Sequence, residues 1–389
     1  MFRRTICTCA SVSAFLISGC GSIDFLFDPA NLVRPIDAAL NGLESAFDEF
    51  AADPFDSKPY PVLLGGNNAR VLYGTNLGDI RLNFPGPTGT VIIPGLIGPV
   101  NLYAYDIERK RRDLVRPFLT SIGLVALATD GQWIAYLSFD GLGQDPRSQI
   151  VVGAFEGIGI DQVLFEESLS DGRAIVPPLV LDDGRVAFVV IDGNTVQHSL
   201  RVEELGGNAL GVEIIGERFA DVRLSGDRLA YVFRDLDGVS QVVLRDLISG
   251  ESTIIATVDD DFHDSILFLT ENLVVWAEPG IDDWRVSAYD IPTGTTFVWA
   301  DGVSSEPVGA SDEFFITQEH QVRLPSEPDR FIIRRYDRAG GVRELARFRD
   351  TGLSGQATVL GDRAAWVNPE RRVLLAPLAG GDRIRFSPF

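Results

Sequence analysis

The stretch L-S-G-D-R-L-A-Y at residues 224–231 runs a tight polar turn straight into an alternating apolar strand, and it recurs along the chain. Close copies stand at L-D-D-G-R-V-A-F (181–188), V-L-G-D-R-A-A-W (359–366) and T-D-G-Q-W-I-A-Y (129–136). Looser ones are L-T-E-N-L-V-V-W (269–276), G-A-S-D-E-F-F-I (309–316) and G-N-N-A-R-V-L-Y (66–73). Self-similarity at this spacing means stacked supersecondary units, none able to bury its apolar face alone. Aligning each copy on Tyr231 gives Tyr73, Tyr136, Phe188, Tyr231, Trp276, Ile316 and Trp366, at intervals of 63, 52, 43, 45, 40 and 50 residues. Four strands with their turns fill about 40 to 50 residues.

A second piece follows each phrase. V-V-L-R-D-L-I-S-G-E-S-T-I-I (242–255) and V-S-A-Y-D-I-P-T-G-T-T-F-V-W (286–299) are its clearest forms, and 102–106, 331–337 and 373–381 fill the same slot. Two apolar runs joined by a Gly-bearing turn predict a hairpin. One unit is therefore an inner strand, the phrase strand, a loop and a hairpin, and seven units predict an all-β fold: a seven-bladed β-propeller of four-stranded antiparallel blades over 61–389. The first blade carries an extra hairpin, F-P-G-P-T-G-T-V-I-I-P-G (84–95), and the sixth an insertion near 318–329.

The phrase 225–251, S-G-D-R-L-A-Y-V-F-R-D-L-D-G…V-V-L-R-D-L-I-S-G-E, resembles the blade repeat of TolB-type (WD40-like) propellers, found also in prolyl-oligopeptidase propellers. That resemblance implies the propeller over residues 60–389. TolB also carries an α/β domain before its propeller, for which residues 21–60 are too short, so its envelope role is not carried over.

The composition agrees with a many-stranded fold: 39 Gly and 21 Pro supply turn residues, and a 45% hydrophobic content is globular. The formal charge is −21, from 34 basic and 55 acidic residues, which repels nucleic acid and anionic headgroups. Only Lys58 and Lys110 are lysines, a skew that coding bias toward Arg explains.

The first residues read as a targeting segment. Arg3 and Arg4 make a positive n-region and Ile6 to Ile17 a short apolar run, too short to span a membrane as a mature helix. The segment ends in I-S-G-C at 17–20, which resembles the lipobox of bacterial lipoproteins. The resemblance implies a signal peptide over 1–19, lipid on Cys20, an anchor in the cell envelope and, with Gly21 rather than Asp next, an outer-membrane lipoprotein facing the periplasm or the cell surface. All three cysteines, Cys7, Cys9 and Cys20, lie in this segment, so the mature chain has no disulfide framework. Residues 20–60 form a tether. Within it Ile36, Leu40, Leu43, Phe47 and Phe50 predict a short amphipathic helix over about 35–51, with Pro35 in its first turn. The Pro-rich stretch 53–61 is a stiff connector.

Enzyme signatures are missing: there is no G-x-S-x-G elbow, H-E-x-x-H or phosphate-binding loop, and G-I-G-I-D-Q at 157–162 falls in a hairpin turn. His198, His263 and His320 stand in three different blades and read as solvated or hydrogen-bonded side chains. No catalytic residue and no cofactor is predicted. The densest acidic run is D-D-D-F-H-D (259–264), joining blades four and five. In a propeller that connection shares a face with the loops between second and third strands, which places Asp259, Asp260, Asp261 and Asp264 with Asp235 and Asp237, and with Asp282, Asp283, Asp140 and Asp145 further round. Calcium, wanting six to eight oxygens, is the cation such a face would take. The plainer reading is a set of solvated turns, since Asp and Gly are what hairpin loops use. The cluster Arg109-Lys110-Arg111-Arg112 reads as the exposed hairpin turn of blade one, with a lipid-headgroup contact as the alternative.

Three classes of function fit. The leading one is an anchored lipoprotein whose propeller binds other envelope proteins. The second is a small-ligand, glycan or calcium binder using the central channel, with Trp and acidic loops at its mouth. The third is a hydrolase or lyase whose catalytic residues are spread over several blades.

Overall fold

The computed structural model describes residues 60–386 except 67–68, 77–78, 84–89, 95–99, 119–123, 141–145, 156–160, 196, 206–211, 259–265, 282, 322–329, 350–356, 368–372 and 379–383. The expected tether over 20–60, the helix predicted near 35–51 and Cys20 lie outside the described residues.

Seven four-stranded antiparallel sheets make seven blades, each built from consecutive segments. Blade one pairs Tyr60–Gly66, Arg70–Asn76, Val100–Asp106 and Arg111–Phe118, and blade two Leu124–Thr129, Trp133–Asp140, Arg147–Ala154 and Gln162–Ser168. Blade three comprises Arg173–Asp182, Arg185–Asp192, Gln197–Glu204 and Val212–Gly216. Blade four follows with Arg218–Ser225, Arg228–Arg234, Ser240–Asp246 and Ser252–Thr257. Blade five has Ile266–Leu269, Leu273–Pro279, Trp284–Asp290 and Thr295–Val303; blade six has Glu306–Ala310, Phe314–Gln321, Arg330–Asp337 and Val342–Arg349. Blade seven has Ala357–Leu360, Arg363–Val367, Val373–Pro377 and Ile384–Phe386. The extra hairpin of blade one forms, as Asp79–Asn83 paired with Thr90–Pro94, between its second and third strands.

Period-two alternation explains how a blade holds two neighbours at once. Leu229, Tyr231 and Phe233 pack toward blade three, whereas Ala230 and Val232 pack toward blade five. Every junction in the ring has its own apolar cluster, seven in all, including one joining Val71, Tyr73 and Tyr105 of blade one to Val367, Val373 and Leu375 of blade seven. Among the described residues no strand of one blade pairs into another blade's sheet. The ring closes by side-chain packing at this seam.

The phrase itself is the turn and second strand of its blade. In blade four Ser225 pairs with Arg228, and Gly226 sits in the left-handed region at φ 54°, a conformation that costs glycine little. In blade three Asp183 and Gly184 are both left-handed, as a two-residue type I′ hairpin loop requires.

The phrase also does something its sequence did not reveal: it ties neighbouring blades through polar contacts. The Asp182 carboxylate of blade three accepts from Gly226 N–H at 2.7 Å, and Arg185 Nη1 donates to Gly226 O at 2.8 Å. Both backbone groups of one turn residue are thus held by the preceding blade. Arg228 likewise donates to Glu271 O of blade five. Nearer the axis, Asp221 sits at a bulge of the inner strand of blade four; its carboxylate accepts from Leu267 N–H at 2.9 Å, while Arg223 Nε donates to Leu267 O at 2.7 Å. Leu267 belongs to the inner strand of blade five, whose free edge would otherwise leave these groups unpaired. Burial pushes the Asp221 carboxyl up from its ordinary range, against the opposing pull of Arg223.

Blade six corrects the sequence reading in two places. The hydrogen bond from Ser311 N to Phe314 O and the Ala310 to Phe315 pairing place Thr317, not Ile316, at the Tyr231 position. Phe315 therefore packs toward blade five and Ile316 toward blade seven. Residues 318–321 are strand rather than insertion, with His320 opposite Phe331.

Candidate functional site

Turns between first and second strands, and between third and fourth, lie on one face of the ring; the remaining connections lie on the other, the loop face. The described members of the predicted acidic set do not converge. The Asp235 carboxylate caps its own loop, accepting from Asp237 N at 3.0 Å, Val239 N at 2.9 Å and Gln241 Nε2 at 3.0 Å. Asp237 is exposed. Asp259, Asp260, Asp261, Asp264 and His263 lie outside the described residues, as do Asp145 and Asp282. Among the described residues no group of three or more His, Cys, Asp or Glu is placed to hold a metal ion. Arg109 and Lys110 occupy the blade-one turn, with Arg111 opening the outer strand.

His198 stands where the sequence puts it, at the start of a hairpin strand, but it is neither solvated nor fully hydrogen-bonded: it is buried, and its Nδ1 has no partner. Burial first and the Arg218 charge second lower its pKa to about 4, so it is neutral at pH 7.

A hollow lies in the flank between blades four and five, a cleft of about 390 Å³ lined by none of the inner strands. Ala256 and Thr257 of blade four form one wall and Val298 of the outer strand of blade five another, while the neighbouring Phe297 side chain packs on the opposite face, toward blade six. Trp276 is its floor, with Glu278, Arg285 and Ser287 beside it.

Its cause is legible rung by rung. The large residue of each phrase faces a partner on the third strand. The pairs are Tyr73 with Tyr103, Tyr136 with Val151, Phe188 with Arg201, Tyr231 with Val243, Thr317 with Arg334 and Trp366 with Leu374. In blade five Trp276 faces Ser287. A hydroxymethyl stands where every other blade has a valine, leucine, tyrosine or arginine, and the space left over is the cleft.

The next rung differs as well. Phe233 faces Gln241 in blade four, and Ser138 faces Gln149 in blade two, but blade five sets Glu278 against Arg285. These opposite charges do not pair. Glu278 instead accepts from Trp276 Nε1 at 2.9 Å, and Arg285, exposed, forms no ion pair with a described residue. In blade six, where the arginine is one rung lower at Arg334, it does pair with Glu319 and fills the corresponding space. The Ser287 hydroxyl makes no hydrogen bond to a described residue although the residue is only 5% exposed.

The cleft thus offers a mainly polar lining over a Trp276 that is only 2% exposed: the Ser287 hydroxyl, the partly engaged Glu278 carboxylate, and Arg285, which has no ion pair among the described residues. Nothing in it constitutes a nucleophile with its base. Sequence reasoning missed Trp276, Glu278, Arg285 and Ser287 as a group. The signal was present in the comparison of V-V-L-R-D (242–246) with V-S-A-Y-D (286–290), where serine replaces valine.

No protein-family model matches the chain, and no curated protein sequence does. Solved structures do resemble it. The β-propeller domain of the trilobed protease from Pyrococcus furiosus overlays with a TM-score of 0.50 at 14% identity, covering 69% of this chain and 83% of that one. A puromycin hydrolase overlays with a TM-score of 0.53 at 11% identity over 87% of this chain, which spans only 56% of the hydrolase. TolB from Acinetobacter baumannii overlays more loosely, with a TM-score of 0.38 at 13% identity over 74% of this chain and 75% of its own. At these identities the likeness concerns the propeller fold alone.

Proposed function

We propose that the protein is an envelope lipoprotein, anchored through Cys20, whose propeller is a binding module that holds a partner protein against the loop face and flank of blades four and five. The observation that carries this is the cleft opened by Ser287, since six sister junctions built to the same pattern put a bulkier or polar-bonded side chain at that rung. Apolar side chains stand exposed nearby on the loop face: Leu236 and Val239 in the loop of blade four, and Ile281, 89% exposed, in the loop of blade five. Exposed apolar groups beside a cleft mark a contact surface rather than a solvated one. The I-S-G-C sequence at 17–20 supports the anchor.

The size of the cleft lies within the range of small-molecule sites, which favours a small-ligand binder as the second reading. A photo-crosslinking residue placed at Leu236 in native envelopes separates the two. Protein binding predicts that the same envelope protein is captured repeatedly and that Ser287→Val reduces the capture. Failure to capture one reproducibly, or capture indifferent to Ser287→Val, ends the protein-binding reading. Labelled palmitate entering the wild-type chain and not Cys20→Ala tests the anchor separately.

A further inference from the structure

We infer that the outer strand of blade four, Ser252–Thr257, holds the partner by taking an extended segment of the partner's chain as a fifth strand of that blade. The segment it fits is uncharged and β-branched at its centre, with a cation at each end. This rests on the protein-binding reading and names the element of the partner that the flank receives.

The last strand of a blade leaves one edge of backbone N–H and C=O groups open, and among the described residues no strand pairs with that edge in blade four. An open edge invites another strand, and proteins blunt it with charge, proline or a bulge. Most of the ring does so. The outer strand of blade one reads R-R-D-L-V-R-P-F and that of blade six V-R-E-L-A-R-F-R. Glu166 and Glu167, Glu213 and Arg385 charge those of blades two, three and seven. In blade four the strand reads S-T-I-I-A-T, with no charge and no proline. Ser252, Thr253, Ile254 and Thr257 are all exposed, Ile254 at 60%. Blade five comes nearest, with T-T-F-V-W-A-D-G-V, but Asp301 charges it and its register against the third strand shifts twice. In blade four the register shifts once, at Ile255.

Charge and size select the occupant. The strand lies within E-S-T-I-I-A-T-V-D-D-D (251–261), uncharged between acids in sequence, so its complement is uncharged between cations. A second copy would bring the same acids and its own net charge of −21 to the contact. Six residues a side also fall well short of the roughly 20 to 30 that a stable interface between folded proteins uses. An extended segment carries neither liability, because main-chain hydrogen bonds supply its affinity and alternating side chains its fit. Ala256 and Thr257 also wall the cleft, which keeps the added strand within the flank assigned to the partner.

The probe is a fluorescein-labelled, C-terminally amidated peptide, K-T-V-T-V-T-K, titrated with the full chain in detergent and followed by anisotropy. It binds, and it slows hydrogen exchange of backbone amides within 252–257. Methylating the backbone nitrogens of its three central residues removes main-chain donors and keeps every side chain, and it weakens binding at least about tenfold. Exchanging its lysines for glutamates weakens binding as well. Ile254→Lys puts on this edge the kind of charge that guards the others and also loses at least about tenfold, whereas Ile254→Thr stays within about twofold of wild type. Thermal melting of both variants verifies that the ring is intact.

Absence of binding, equal binding of the methylated or the glutamate peptide, or full binding by Ile254→Lys overturns the inference. So does protection from exchange elsewhere on the ring with none at 252–257. Sedimentation at twice the mass of one chain, returned to the single mass by Ile254→Lys, gives the edge to a second copy and overturns it too. If the crosslink from Leu236 still captures its partner while the peptide fails, the protein-binding reading stands and only the added strand falls.

Discussion

Blade four has the same phrase on both sides of it, yet its two junctions end differently. Toward blade three the junction is filled: the Phe219, Tyr231 and Phe233 rings pack at centroid separations of 5.2 to 6.0 Å, Phe219 stacked on Phe233 and Tyr231 edge-on to Phe233, and Val243 closes the rung. Toward blade five the aromatic residue is present as Trp276, but its neighbours are Ser287 and Glu278, and the space stays open. The scaffold therefore does not depend on every rung being filled. Polar brackets share the work, with Asp182 and Arg185 holding Gly226 on one side, and Asp221 and Arg223 holding Leu267 on the other.

The comparison is open to attack by substitution, and the largest effect is expected in the filled junction. Tyr231→Ala should cost about 4 kcal/mol by chemical denaturation, and Trp276→Ala about 3 kcal/mol, because across its rung the indole meets only the small Ser287 side chain. If Trp276→Ala proves the costlier, the cleft is not the loosely packed region described.

Asp221→Ala comes next, at about 2 kcal/mol, since it leaves the Leu267 N–H unpaired and takes the carboxylate from Arg223, which keeps its bonds to Leu267 O and Val222 O. A loss below that of Asp182→Ala, about 1 kcal/mol for one turn contact, would mean that the inner bracket adds nothing.

Acid probes the filled junction from the blade-three side through His198. Its pKa in the fold, about 4, lies below that of the unfolded chain, so it contributes no penalty at pH 7. As pH falls through about 6.5 toward 4, the unfolded state takes up a proton that the folded state refuses, and stability is lost. The difference between wild type and His198→Gln should grow by about 2 kcal/mol between pH 7 and pH 4.5, discounted for incomplete burial. A constant difference across that range would mean that His198 titrates normally. Buried carboxylates such as Asp182 and Asp221, with raised pKa values, act in the opposite sense and cancel in that comparison.

The smallest effect has the opposite sign: Ser287→Val should raise stability by about 0.5 kcal/mol, because it fills the hollow with the residue blades two and four already use. A rise in melting temperature with loss of binding would show that the hollow is kept for a ligand at the expense of packing. A fall would show that the rung is already full.

The ring was legible in the sequence because a turn with glycine and a strand with alternating apolar residues announce themselves within eight residues, and seven repetitions multiply the signal. Blade six escaped by one residue. Its turn, A-S-D-E, has no glycine to mark the corner, and Phe314, Phe315 and Ile316 are apolar in succession, so the parity that separates the two faces is hidden. The cleft escaped for a different reason. Neither serine nor arginine is unusual in a strand, and their meaning depends on which residue stands across the rung, which follows from hairpin register. The acidic run at 259–264 drew attention through composition, yet Asp235, expected on the same face, folds back on its own turn.

The seam between blades one and seven remains as a feature with its own logic. Because the strands of each blade are consecutive, the seventh blade is to the first what a bound protein is to its receptor, and ring closure is an association within one molecule. Its strength is set by the effective concentration that six intervening blades impose on the two faces. Two molecules meeting with their seams apart present each other with the same pair of faces, so a high local concentration would weigh exchange between neighbours against closure within each one.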